Sequence, residues 1–165
     1  MTYTPSKKDR ILVTGGTGYI GTNLINRLNG YGFSYVYSVG SKDYNLTLEN
    51  ETSQMIKDID PKVVIHLAAK HGNSNENASE PFEHLLQNIM ISSNIFRACV
   101  KPKFLIEKLV CIGTACSYPA SASMPLNEED LWNGLPGGST EGYGIAKRLP
   151  FILAEKAQKQ YGFNA

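Results

Sequence analysis

A run of glycines directly after a short apolar segment constrains this chain more than any other feature. Ile11-Leu12-Val13 leads into Thr14-Gly15-Gly16-Thr17-Gly18-Tyr19-Ile20-Gly21. Gly15, Gly18 and Gly21 are evenly spaced, and the positions of Ile20, Leu24, Ile25 and Leu28 predict a helix over 19–28. A strand, a glycine turn and a helix in that order form a phosphate cradle. The first glycine permits the tight turn, the second lets backbone approach a pyrophosphate, and the third lets helix and strand pack closely. The helix N-terminus adds unpaired N–H groups and the positive end of the helix dipole. Gly15, Gly16, Thr17, Gly18, Tyr19, Ile20 and Gly21 are therefore the first candidate cofactor residues.

The rest of the chain continues the alternation. Residues 35–39, 63–67 and 109–112 are further strand candidates, and residues 50–59, 81–100 and 143–161 carry helical patterns. Continuous apolar strands predict a parallel sheet buried on both faces. The β-α order predicts a doubly wound α/β fold of Rossmann type. With 165 residues the chain is sized for one domain and one core. A net charge of +1 leaves no basic excess for a nucleic-acid backbone. No apolar run approaches the ~20 residues of a membrane span, and the apolar stretch after residues 1–10 is too short for a signal peptide. Cys99, Cys111 and Cys116 form no C-x-x-C pair, so neither a disulfide framework nor a metal site is indicated. A reducing, cytoplasmic compartment follows.

Ligands in such folds bind beyond the carboxyl ends of the strands. Those ends are Thr14-Gly15, Val39-Gly40, Leu67-Ala68 and Ile112-Gly113. An acid after the second strand would hold a free ribose 2′-hydroxyl. Here Gly40-Ser41-Lys42-Asp43 offers a hydroxyl and a cation suited to a 2′-phosphate. NADP(H) is favoured, and Asp43 leaves NAD(H) open. Further on, Tyr143 and Lys147 are four apart and share a helix face. A cation there is expected to lower the tyrosine pKa and let it exchange a proton near neutral pH. Lys147 can also hold the nicotinamide ribose. Thr114, just past the fourth strand, either meets a substrate oxygen beside Tyr143 or satisfies its own turn.

The glycine spacing resembles that of the extended short-chain dehydrogenases/reductases that work on nucleotide sugars. Four stretches narrow the resemblance: His66-Leu67-Ala68-Ala69-Lys70, Gly113-Thr114-Ala115-Cys116-Ser117-Tyr118-Pro119, Pro125-Leu126-Asn127-Glu128 and Tyr143-Gly144-Ile145-Ala146-Lys147. From Arg10 to the last residue the chain resembles the GDP-L-fucose synthase family, within the NAD-dependent epimerase/dehydratases. The resemblance implies NADPH-dependent conversion of GDP-4-keto-6-deoxy-D-mannose to GDP-L-fucose, by epimerisation at C3 and C5 and reduction at C4. It implies Tyr143 as proton donor, Lys147 as its support, Thr114 as the group that positions the oxygen, and Cys116 as a proton carrier in epimerisation. A thiol suits that last task because its reference pKa of ~8.5 falls near a positive group. The resemblance further implies cofactor contacts from Ser41, Lys42, Asp43, Leu46, Ala68, Ala69, Ile112, Gly113 and Lys147, with Asn45-Leu46-Thr47 beside the adenine. It implies a GDP-linked sugar as substrate and a homodimer built on the helices at 81–100 and 143–161. It also implies a longer parent, with the sheet here stopping before its last strands and the C-terminal substrate domain absent.

Several residues depart from the family pattern. The family's proton-transferring histidine lies beyond Tyr-x-x-x-Lys, and no histidine follows Lys147 here. His66 is expected to serve structurally at a strand end, and His71 to be a solvated loop residue, with reach into the pocket as the alternative. Cys99 and Cys111 are expected in packing roles. Pro150 falls inside the last helical pattern and predicts a kink costing ~3 kcal/mol. Residues 134–138, with three glycines and Pro136, predict a mobile loop against which Trp132 packs. Two other readings stay open: a different nucleotide-sugar epimerase, dehydratase or reductase, and a catalytically silent nucleotide-binding module.

Overall fold

The computed structural model describes residues 3–72 and 74–165. Its parallel strands are β1 (Ile11–Thr14), β2 (Val36–Val39), β3 (Val63–His66) and β4 (Lys108–Cys111), in the order β2-β1-β3-β4. The helices are α1 (Tyr19–Gly30), α2 (Glu49–Ile59), α3 (Ser74–Ser79), α4 (Pro81–Cys99), α5 (Glu141–Ala146) and α6 (Leu149–Tyr161). The expected doubly wound α/β fold is what forms. Strand pleating sends successive side chains to opposite faces. Leu12, Val64 and Leu109 stand in register and meet Met55, Ile56, Ile95 and Phe96 of α2 and α4. Ile11, Val13 and Val63 face the other way, against Leu24, Ile25 and Leu28 of α1.

The chain steps from β1 outward to β2, then crosses back to β3 on the other side of β1. That reversal opens a crevice between the ends of β1 and β3. At its base the Thr14 hydroxyl meets His66 Nδ1 at 2.8 Å, both groups fully buried. The same hydroxyl oxygen accepts from the Ala68 N–H at 3.4 Å. His66 therefore has the structural role expected of it. Burial first, and the nearby Lys147 charge second, push its pKa down to about 3.

Three expectations need correction. β2 is not buried on both faces: it is the sheet edge, and Tyr37 and Ser38 are exposed. The helix expected over 143–161 is two helices, separated by a turn at Lys147 and Arg148. Pro150 thereby falls in the first turn of α6, where its missing N–H has no intrahelical partner to lose. The break removes the penalty a kinked helix would carry. Nor is the 134–138 loop loose. Arg148 Nη1 donates to the Gly134 carbonyl at 2.9 Å, Ala120 N–H donates to the Leu135 carbonyl at 3.0 Å, and Pro136 is buried. Trp132 packs there as expected, its ring 5.5 Å from the Arg148 guanidinium.

At the other edge Phe163 is buried in the core, and the Asn164 carbonyl accepts from the Leu109 N–H at 2.9 Å. Among the described residues no helix is long and apolar enough to cross a membrane.

Two stability measurements follow from this packing. His66 stays neutral in the fold but titrates near 6.5 once unfolded, so the unfolded state binds more protons between pH 6.5 and about 3. Stability is unaffected by this group above pH 6.5 and is lost on acidification, by about 2 kcal/mol at pH 5. Urea unfolding at pH 7 and pH 5 should show that loss, and His66→Asn, which keeps an acceptor for Thr14, should reduce it. Separately, a Cβ on Gly21 would overlap the Gly15 carbonyl oxygen and lie 2.5 Å from Gly16 Cα, whereas one on Gly18 meets only the Gly15 oxygen at 3.3 Å. Thermal unfolding should show Gly21→Ala destabilised by about 1–3 kcal/mol and Gly18→Ala nearly unchanged.

Candidate active site

The glycine loop closes onto the end of β3. Gly15 has φ +70°, and a Cβ there would lie 2.8 Å from the Ala68 amide nitrogen. Only glycine meets both demands. The first intrahelical bond of α1 runs from the Thr22 N–H to the Gly18 carbonyl. The amides of Tyr19, Ile20 and Gly21 therefore precede the helical ladder, as helix geometry requires. The side chains of Tyr19 and Ile20 are 88% and 62% exposed, and neither residue lines the cleft described next.

A cleft of about 470 Å³ runs from this loop across the crevice. Gly15, Thr17 and Gly18 form one wall, Ser41 and Leu46 lie at one end, and Ala68, Ala69 and His71 line the opposite wall. The cradle fits a dinucleotide diphosphate: its helix N-terminus is free of capping side chains, and the outward side of Gly18 is open. The cofactor candidates from the sequence divide here. Lys42 and Asp43 do not line the cleft. The Asp43 carboxylate folds back to accept from the Gly40 N–H at 2.8 Å, which closes the turn and takes it away from a ribose. Asn45 Oδ1 is occupied by the amide and hydroxyl of Thr47. Ile112 and Gly113 also lie off the cleft. Gly113 lines a smaller cavity of about 200 Å³ with Cys111, Lys147 and Phe151.

The proton-bearing residues collect at the His71 end. The ring of His71 meets Tyr143 edge to face, with centroids 5.2 Å apart and planes at 87°. His71 stays exposed, as expected of a loop residue, and also lines the cleft. Its loop is held from below by Asn88, buried in α4. Asn88 Oδ1 accepts from the Lys70 N–H at 2.9 Å, and Nδ2 donates to the Lys70 carbonyl at 2.9 Å. Sequence reading missed Asn88, although His84, Asn88, Ile91 and Ile95 share one helix face and two polar residues on a core stripe are a signal.

Thr114 caps a short 3-10 turn over Ala115–Ser117, its oxygen accepting from the Cys116 N–H at 3.3 Å. Its hydroxyl proton remains for another acceptor. The turn lies on α5: Ser117 Oγ donates to the Gly144 carbonyl at 3.1 Å, and a Cβ on Gly144 would overlap the Cys116 carbonyl oxygen. Burial, and then the neighbouring Cys116, push the Tyr143 pKa up. The expected lowering by Lys147 is absent. Lys147 follows the last residue of α5, its side chain is buried, and its charge is felt by His66 and Cys111. Burial lowers the Lys147 pKa and pushes the Cys111 thiol up to about 11. Cys99 is buried in α4, so Cys99 and Cys111 both belong to the packed interior. All three cysteines are free thiols.

Known proteins resemble this chain in sequence and in fold. A GDP-L-fucose synthase of Dictyostelium discoideum is 33% identical over 165 residues, covering 98% of this chain and 50% of that protein. Among solved structures, a GDP-L-fucose synthetase from Naegleria fowleri bound to NADP superposes with TM-score 0.84 at 29% identity, covering 96% of this chain and 47% of that one. A GDP-mannoheptose C4 reductase from Campylobacter jejuni with NADP bound gives TM-score 0.89 at 26% identity, over 98% of this chain and 50% of that one. The chain spans about half the length of the curated relatives it matches. The model of the NAD dependent epimerase/dehydratase family matches residues 11–165, and with its cradle, cleft and Tyr143–Lys147 segment in place this chain belongs to that family.

Proposed function

We propose that this chain is the cofactor-binding part of an NADP(H)-dependent GDP-sugar epimerase/reductase with GDP-L-fucose synthase activity. One observation carries the reading: Tyr143 packs on His71, which lines the cleft, and lies near Cys116, whose turn is capped by Thr114. The similarity to GDP-sugar enzymes supports the substrate class.

In this reading the amides of the glycine loop and of the first turn of α1 hold the cofactor diphosphate. Ser41 is the group at the cleft end that meets the ribose 2′-phosphate, with Lys42 adding charge from outside. NADPH, when bound, supplies the hydride that reduces the C4 carbonyl. The carbonyl oxygen develops negative charge and needs one proton. A phenol whose pKa is raised keeps its proton at neutral pH, and Tyr143 is therefore poised as the acid that delivers it. Thr114 donates its hydroxyl hydrogen to the same oxygen, and Lys147 places a buried positive charge behind the site. Cys116 removes and returns protons at the carbons flanking the keto group before reduction. Recognition of the guanine and of the sugar ring is assigned to the further length that the relatives possess. Three free thiols accord with a cytoplasmic enzyme. The exposed stripe Phe82, Leu86 and Met90 on α4 is the surface we assign to a homodimer contact.

Calorimetric titration tests the cofactor premise first. NADPH should bind in the micromolar range, NADH at least tenfold more weakly, and Ser41→Glu should reverse that order because a carboxylate repels the 2′-phosphate and accepts from a free 2′-hydroxyl. No binding at millimolar NADPH would refute the enzymatic reading.

Activity in the whole enzyme tests the proton roles. Tyr143→Phe should lower C4 reduction by about 10²–10⁴-fold while NADPH affinity stays within about twofold. Cys116→Ser should suppress solvent deuterium entry at C3 and C5. Undiminished exchange would remove Cys116 from the mechanism.

A further inference from the structure

Pro150, Trp132 and the glycine-containing loop at 134–138 take no part in the chemistry proposed above, yet all three converge on one side chain. Arg148 is 7% exposed. Its Nε donates to the Ser117 carbonyl at 2.7 Å and its Nη1 to the Gly134 carbonyl at 2.9 Å. The Trp132 ring lies 5.5 Å from the guanidinium carbon. None of the ion pairs found among the described residues includes Arg148, and its Nη2 is buried without a hydrogen-bond partner.

A buried cation with no carboxylate is an expensive way to fill space. An apolar side chain of similar volume would serve stability as well or better. What a guanidinium adds is a rigid fork that reaches two carbonyls in fixed directions. Both carbonyls here belong to segments that border the site. Ser117 ends the turn that carries Thr114 and Cys116, and Gly134 begins the loop that leads to α5. The break between α5 and α6 makes the reach available. With Pro150 in the first turn of α6, Arg148 sits in the turn before it and sends its side chain to the loops, while Lys147 remains buried toward β3 and β4.

We propose that Arg148 is a positioning residue: it ties the Thr114–Ser117 turn and the Gly134 loop to the α5–α6 break and so sets Thr114 and Cys116 against Tyr143. The inference rests on the roles proposed above for those three residues, but the clamp can be measured without turnover. The experiment compares the purified protein with Arg148→Met, which keeps length and loses the donors, and with Arg148→Lys, which keeps the charge and loses the fork. Cys116 alkylation by iodoacetamide is followed by peptide mass spectrometry, with Cys99 and Cys111 as internal references, alongside amide hydrogen exchange and NADPH titration.

In Arg148→Met, Cys116 should react about tenfold faster or more, the order expected when charge-assisted bonds to a buried segment are lost. Exchange should rise together in residues 114–118 and 133–138 and stay unchanged in residues 11–21, with NADPH affinity held within about twofold. Arg148→Lys should fall between the two. Unchanged Cys116 reactivity in a folded Arg148→Met protein overturns the proposal. So does a rise shared equally by Cys99 and Cys111, which would mark general loosening. If Arg148→Met does not fold, Arg148→Lys decides by the same readouts. Failure of the unmodified protein to bind NADPH would refute the functional reading and leave the clamp to be judged on reactivity and exchange alone.

Discussion

Everything in the site depends on how closely the end of β1 approaches the end of β3. Gly15 turns with a positive φ against the Ala68 amide, and the buried Thr14 hydroxyl bridges Ala68 and His66. A side chain at position 15 would push the strands' ends apart, and with them the crevice. The approach has three effects at once. It aims α1 at the cleft with its N-terminal amides free. It starts the loop of Ala68, Ala69 and Lys70 along the cleft wall. It places the next residue, His71, on Tyr143 once Asn88 has pinned Lys70 to α4. A packing contact at the base of the crevice is thereby linked, through the 67–71 loop, to the residue that meets Tyr143.

The break between α5 and α6 is the second determinant. Residues four apart on a continuous helix share a face, and Tyr-x-x-x-Lys is ordinarily read that way. Here the helix stops at Ala146, one residue before the lysine. Lys147 still donates its N–H to the Tyr143 carbonyl at 3.0 Å, but its ammonium is felt by His66 and Cys111. The tyrosine keeps its proton for reasons of burial, with Cys116 as the next influence.

How far the site could be read beforehand differed by the range of the interaction involved. The glycine roles were legible because they depend on residues a few positions apart, and the structure places Gly15 and Gly21 in the close contacts such spacing requires. The strands were legible from apolar runs, but not that β2 would be an edge, since edge position follows from the order of strands in space. Asp43 looked available to a ribose because nothing nearby in sequence shows that it turns back onto Gly40. The 134–138 loop looked mobile by composition, and it is held by Arg148, a residue ten or more positions away. Pro150 was the exception, a local signal read correctly as an interruption and incorrectly as a strain. The helix yields before the proline, so the ring sits where a first turn accepts it.

The break also accounts for the charges at the site. Two adjacent cations, Lys147 and Arg148, are both buried, and neither belongs to an ion pair among the described residues. Lys147 completes the last turn of α5 and lies by the end of β4, and Arg148 in the turn that follows reaches the loop carbonyls. Arg148 is compensated by backbone oxygens and an aromatic face, so its charge is largely spent on structure. Lys147 has no such compensation, and burial lowers its pKa. Its charge is felt by His66 and Cys111 and not by Tyr143. Burial and Cys116 hold Tyr143 in the protonated form that the proposed reduction requires of its acid.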